Sequence, residues 1–202
     1  DDILVIDVGM MFPQTGMLGI DYILPDWDYL RDKKDRVRAA IITHGHMDHI
    51  GALSHFLEEF NVPLYATRLT RGLIEVQLEQ RRMLQKATLH TMSPRDEIQI
   101  GPFTVEPYHV CHSIPDTVGL GITTPAGLVV HSGDFKFDHT PVDGWPTDYA
   151  KLAEFTGRGV LLLLSDSTNA DTPGRTASEA VLYDAFHQIM RQAPGRLIVA
   201  TF

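Results

Sequence analysis

The sequence predicts an α/β domain in which sheets lie between layers of helices, and two observations carry that prediction. Short runs rich in Val, Ile and Leu recur along the chain, and segments with helical spacing of apolar residues fall between them. The size agrees: 202 residues, 44% hydrophobic and 21% charged, suffice for one sizeable core. Residues 3–8 read as the first strand. Val37-Arg38-Ala39-Ala40-Ile41-Ile42-Thr43 reads as a buried strand, and Gly51 to Phe60 as the helix after it. Residues 62–66 read as a strand, followed by one long helical pattern from Thr67 to about Ala87. Residues 103–110 read as a strand, 118–132 as a hairpin and 148–156 as a helix. Val160-Leu161-Leu162-Leu163-Leu164 is a short apolar run that reads as another buried strand. Thr176 and Glu179 stand at capping-box spacing, which predicts a helix over 177–191, and residues 196–201 read as a last strand. There is no internal repeat, linker or low-complexity stretch, and the Pro- and Gly-containing 138–147 segment reads as an ordered loop.

Composition bounds the function without deciding it. No apolar stretch approaches the roughly 20 residues of a membrane span, and no signal peptide is visible, so no membrane partner is expected. The single cysteine, Cys111, cannot form an internal disulfide, which agrees with a reducing cytoplasm; it reads as a buried thiol although it adjoins His112. The chain starts at Asp1 without Met and stops at Phe202 inside a strand-like run, so it reads as a portion of a longer protein. The formal net charge of −9 is unusual for a nucleic-acid binder, which ordinarily carries a basic face. Bound cations would reverse the sign of an acidic site locally. Arg68, Arg71, Arg81, Arg82 and Lys86 fall along the long helical pattern, where a solvated helix face is the simpler reading than a phosphate track.

The chemistry concentrates in Thr43-His44-Gly45-His46-Met47-Asp48-His49-Ile50-Gly51. Imidazole nitrogen suits zinc and a neighbouring carboxylate adds a harder, charged ligand, so this H-x-H-x-D-H string can supply two metal ions. It lies between a strand and a helix, where an α/β scaffold usually places its chemistry. Two further groups could close such a site: His112, just past the strand ending at Val110, and Asp134, just past Val129-Val130-His131-Ser132-Gly133. A carboxylate such as Asp134 can bridge two cations roughly 3.5–4 Å apart. His109, His131 and His139 are close rivals by position alone.

These residues resemble the metallo-β-lactamase superfold, and within it the nucleic-acid-processing β-CASP branch that includes the ribonuclease J family. Asp7-Val8-Gly9-Met10-Met11-Phe12-Pro13 resembles the family's first motif, whose Asp orients the metal loop without ligating, and Gly19 to Asp26 resembles the segment after it. His44, His46, Asp48 and His49 match the second motif, His112 in His112-Ser113-Ile114-Pro115-Asp116 the third, and Asp134 in Ser132-Gly133-Asp134-Phe135-Lys136 the fourth. The resemblance implies an αββα sandwich, incomplete in this chain. Residues 1–190 would be the N-terminal part of the metallo-β-lactamase domain, and 191–202 the start of an inserted β-CASP domain. It also implies two divalent cations, zinc first, with manganese or magnesium as alternatives. One would take His44, His46 and His112; the other Asp48 and His49, with Asp134 bridging. The family adds a His far downstream, and no residue after Asp134 matches it, since His139 and His187 lack that context.

Ser165-Asp166-Ser167-Thr168-Asn169-Ala170 allows two readings from local chemistry: a turn at a strand end, or a functional acid. The resemblance favours the second, because Asp166 matches the acidic residue that opens the β-CASP portion. The implied activity is hydrolysis of RNA phosphodiester bonds by a hydroxide activated between two metals. Asp48, Asp134 and Asp166 would be the catalytic acids and Asp7 would orient imidazoles. The substrate would be single-stranded RNA, cut internally or from a 5′ end, by a homo-oligomer in the intact protein. Competing expectations are a small-molecule hydrolase of the same superfold (a thioesterase or lactonase), a redox protein with two irons, and a metal-poor scaffold.

Overall fold

A computed structural model describes residues 2–200. The chain forms, in order, β1 (Ile3–Ile6), α1 (Asp28–Arg31), β2 (Val37–Ile41), α2 (Met47–Ile50), α3 (Leu53–Phe60), β3 (Leu64–Ala66), α4 (Arg68–Gln80), β4 (Leu89–Thr91) and β5 (Ile98–Ile100). There follow β6 (Phe103–His109), β7 (Val118–Thr124), β8 (Gly127–His131), α5 (Tyr149–Arg158), β9 (Val160–Leu164) and α6 (Ala180–Gln192). β1 to β4 make a parallel sheet in sequence order. β5 to β9 make a second sheet, antiparallel except for its last pair, β8 and β9.

Alternation along β2 sorts the layers. Ala39 and Ile41 point one way, into a core shared with Met92, just past β4, and with Val105, Val118, Leu120 and Ile122 of the second sheet. Ala40 and Ile42 point the other way, against Leu53, Phe56 and Phe60 of α3 and Ile74 and Leu78 of α4. On the far face of the second sheet, Tyr108, Leu128 and Val130 bury the fully enclosed Phe155 of α5. Glu106 fixes α5 further, accepting bonds from Lys151 Nζ at 2.8 Å and Arg158 Nη1 at 2.6 Å. The order is therefore helices, sheet, sheet, helix: the αββα sandwich.

Several elements differ from expectation. The pattern over 67–87 is not one helix: α4 ends at Gln80, Arg82 takes φ +58°, and a short 3-10 turn covers Leu84–Lys86. Periodicity continued through that break because Met83 and Leu84 still reach the core. Residues 47–60 hold two helices rather than one from Gly51, so Asp48 and His49 lie on α2 and not in a loop. The Thr176/Glu179 box does not form. Glu179 is itself the residue before α6; its N–H donates to Asp138 Oδ2 at 2.9 Å and its carboxylate lies 3.5 Å from Lys136 Nζ.

β9 is not buried. Its five residues are 40–62% exposed, because among the described residues it is an edge strand paired only with β8. An apolar run records hydrophobicity, not whether a neighbour covers it. Residues 196–200 form no strand, since a strand needs a hydrogen-bonded neighbour and they have none among the described residues; residue 201 lies outside them. Pattern reading also missed β4, β5 and α1, each only three or four residues long.

Phe155 is the test of the outer layer. Phe155→Ala should lower unfolding stability by about 3–5 kcal/mol in urea denaturation, because its ring fills the space over Gly121 between α5 and the second sheet. A loss below about 1 kcal/mol would mean that α5 is only loosely seated.

Candidate metal centre

The site begins with an aspartate in an uncommon backbone state. Asp7, directly after β1, has φ +59°, and this left-handed turn swings its carboxylate toward the end of β2. There it accepts three bonds: from Thr43 N–H at 2.7 Å, from Thr43 Oγ1–H at 2.8 Å and from His49 Nδ1–H at 2.8 Å. The residues after it lace onto the short helix. Val8 N–H donates to His49 O, Met10 N–H to Met47 O, and Ala52 N–H to Val8 O. Gly9 sits so close to this helix that a Cβ there would lie 1.5 Å from Asp48 O. Any side chain at position 9 would push α2 away.

Those bonds settle the imidazole tautomers. Thr43 Oγ1 spends its hydrogen on Asp7, so at 3.0 Å it can only accept from His44 Nδ1–H. His44 Nε2 is left as a lone pair, 3.1 Å from His46 Nδ1, which in turn is 3.1 Å from His112 Nε2. Three imidazole nitrogens thus converge from the loop after β2 and the loop after β6. His49 gives its Nδ1–H to Asp7, and its Nε2 faces Asp134 Oδ2 at 3.4 Å and Asp48 Oδ2 at 3.7 Å.

The charges follow from this packing. Burial first, then repulsion from His49 and His112, pushes His44 down to about 2. Burial also lowers His112. Burial opposes charge on His49 as well, but the bonds to Asp134 and Asp7 outweigh it and hold the group up to about 10. The His49 bond in turn holds Asp134 down to about 2. A set of neutral nitrogens aimed at one another beside an ionised carboxylate suits a divalent cation. Among the described residues, two groups have ligand atoms close enough to share one ion: His44, His46 and His112, and His44, His49 and Asp134.

The structure therefore gathers His44, His46, His49, His112 and Asp134, with Asp7 behind them. Asp48 stands apart from both groups, and its side chain is 62% exposed. Asp166 makes a turn, its Oδ1 accepting from the N–H and hydroxyl of Thr168 at 2.8 and 2.6 Å. It still lies near enough to His112 to raise that group electrostatically. The rival histidines have other partners. His109 donates to Pro146 O and stacks on Trp145 at 3.9 Å, His139 packs near Tyr149, and His131 accepts from a backbone N–H. Cys111 is a buried free thiol that faces the carbonyls of Trp145 and Asp138. Of the basic residues, Arg71 is occupied by Glu75 and Thr91. Sequence reading passed over Thr43 and Ser132; the one available signal was a hydroxyl beside each motif.

A cavity of 600 Å³ opens between α6 and the 109–115 segment and reaches His112, its wall mainly apolar side chains such as Ile114, Leu182, Phe186 and Met190. Among the described residues no helix is long and apolar enough to cross a membrane.

The two packed sheets and the histidine-carboxylate centre at their strand ends define a domain of the metallo-β-lactamase type, and the sequence comparison agrees. The chain belongs to the Metallo-beta-lactamase superfamily, whose family profile matches residues 1–185. At closer range it is 46% identical to ribonuclease J of Synechocystis sp. over 100% of its own length and 32% of that protein's. It is 44% identical to ribonuclease J of Thermus thermophilus, again over 100% of this chain and 36% of the relative. The chain thus spans about a third of the length of these relatives. A crystal structure of a protein of unknown function from Enterococcus faecalis shares the fold, with TM-score 0.66 and 20% identity over 96% of this chain and 53% of that one.

The His49–Asp134 pair makes the metal-free protein sensitive to pH. His49 is raised above its unfolded value, so its contribution is full below about 6.5 and is lost as pH rises through about 10. Asp134 is depressed, so its contribution is present above 3.8 and lost as pH falls through about 2. Stability in denaturant should therefore decline between pH 7 and 10 without metal. With saturating zinc the decline should flatten, and zinc uptake at pH 8 should release about one proton per His49, read by calorimetry in buffers of different ionisation heat. Identical profiles with and without zinc would show that His49 does not exchange its proton for a cation.

Proposed function

We propose that this chain is the metal-binding part of a ribonuclease that hydrolyses RNA phosphodiester bonds, acting from 5′ ends, internally, or both. The observation that carries this reading is the convergence of His44, His46, His49, His112 and Asp134 in a chain 46% identical to a ribonuclease J. In this reading His44, His46 and His112 would hold one divalent cation, and His49 and Asp134, with Asp48, would hold a second. Zinc suits the imidazole-rich set best, with manganese or magnesium as alternatives. Such cations supply Lewis acidity toward a phosphate oxygen and lower the pKa of water toward 7.

The chain's own residues do the remaining work. Asp7 holds His49 and, through Thr43, His44 in the tautomers that present Nε2, which outer carboxylates commonly do for ligating imidazoles. Asp48, whose carboxylate is exposed, would keep one oxygen able to accept a hydrogen bond from water beside the centre. Asp166 adds negative charge near His112. Cations at the centre would offset the −9 charge of the chain where a phosphate must approach.

The test is cleavage of a 5′-monophosphorylated single-stranded RNA by the intact protein with zinc or manganese, before and after chelation. Cleavage should require metal, and His46→Ala, which removes the nitrogen shared by both 3.1 Å contacts, should reduce the rate at least about a hundredfold. Full activity of His46→Ala would refute the ligand assignment. Hydrolysis of thioesters or lactones with no action on RNA would instead identify a small-molecule hydrolase.

A further inference from the structure

We propose that His131 is a positioning residue: its Nδ1 captures the Gly133 N–H and thereby sets the turn that aims the Asp134 carboxylate at the metal centre. This rests on the reading of Asp134 as a metal ligand. His131 is the last residue of β8, held in register on both sides, opposite Leu120 of β7 and Leu164 of β9. Its carbonyl accepts from Tyr108 Oη–H at 3.3 Å, so the backbone at this point is tied on three sides. Three residues later the chain must deliver Asp134 to within 3.4 Å of His49 Nε2.

The turn between them has little latitude. Gly133 has φ +60°, and a Cβ there would lie 2.6 Å from Val118 O. Val118 N–H in turn donates to Thr43 O, so the turn rests against the segment after β2 that carries His44. Ser132 holds the other side: its N–H donates to Leu164 O, and its Oγ donates to Gly133 O at 2.6 Å while accepting from Asp166 N–H at 2.8 Å. That leaves the buried Gly133 N–H, and it is His131 Nδ1, at 3.0 Å, that accepts it. The donor is a backbone amide, so Nδ1 must carry the lone pair and Nε2 the hydrogen. A left-handed turn with an unpaired amide facing its own protein would be free to relax, and Asp134 would swing with it.

Asparagine places Oδ1 where histidine places Nδ1, whereas leucine places a methyl group there. His131→Asn should therefore keep the turn and His131→Leu should release it. In the native protein, NMR should detect a through-bond nitrogen–nitrogen coupling between Gly133 N and His131 Nδ1; its absence would overturn the proposal without any variant. Zinc titration followed by native mass spectrometry should show the Leu variant weakened about 10–100-fold at one of two sites. The Asn variant should stay within about threefold of native, as expected of an outer partner that keeps its bond. Native-like zinc affinity in the Leu variant, or equal losses in both variants, would also overturn it. If the native protein takes up no metal while the coupling is present, the metal-centre reading fails and the role assigned to His131 falls with it. That outcome is distinguishable from failure of the hydrogen bond itself.

Discussion

The carboxylate of Asp7 is the contact on which the histidine-carboxylate centre depends. It is an ionised acceptor taking three donors at 2.7–2.8 Å, two from Thr43 and one from His49, which joins the end of β1 to the end of β2 and to α2. Bonds of this kind to a charged acceptor are about twice as strong as neutral ones. They also carry information. Each fixes a hydrogen on a named atom, and the consequence two bonds away is that His44 and His49 both present Nε2 outward. The left-handed backbone at Asp7, costing of order 1 kcal/mol for a non-glycine residue, is offset by the three bonds its carboxylate accepts there.

The centre forms where two sheets that share a core come together. His44 and His46 follow β2 in the parallel sheet, and His112 and Asp134 follow β6 and β8 in the other. Neither sheet owns a complete set of ligands. The distances between them are held by the apolar layer containing Ala39, Ile41, Val105, Val118 and Leu120, with the Val118–Thr43 bond stitching the two strand ends directly. Packing in that layer is therefore a determinant of ligand spacing, and a small residue such as Ala39 counts because it sets how closely the sheets approach.

How much of this was legible depended on where the information resides. The H-x-H-x-D-H string is local, so its placement beside β2 could be read from one stretch of chain. The family resemblance carried His112 and Asp134, which lie 63 and 85 residues beyond His49 and could not have been chosen over His109 or His131 by position alone. Solvent exposure was the least legible property. The five consecutive apolar residues of β9 predict burial, yet they line an edge, because hydrophobicity states a preference that only a neighbour can satisfy. Arg82 shows the same limit for helices, since a single left-handed residue broke a pattern whose apolar positions continued past it. The tautomers were invisible for a different reason: they follow from a chain of bonds through Thr43, whose role no spacing reveals.

The opposite shifts of neighbouring histidines follow from one cause. His44 is buried and His112 half-buried among other imidazoles, so a proton on either is costly and both are pushed down. His49 is half-buried as well, but it lies between two carboxylates, and there a positive charge is needed to balance Asp7 and Asp134. In the absence of metal that charge is the proton on Nε2. A divalent cation shared with Asp134 would do the same task with more charge and more ligands, and it would recruit the lone pair of His44 that the proton leaves unused. The centre thus holds a charge pattern in which a bound cation would displace the proton of His49, and competition between the two would tie metal affinity to pH.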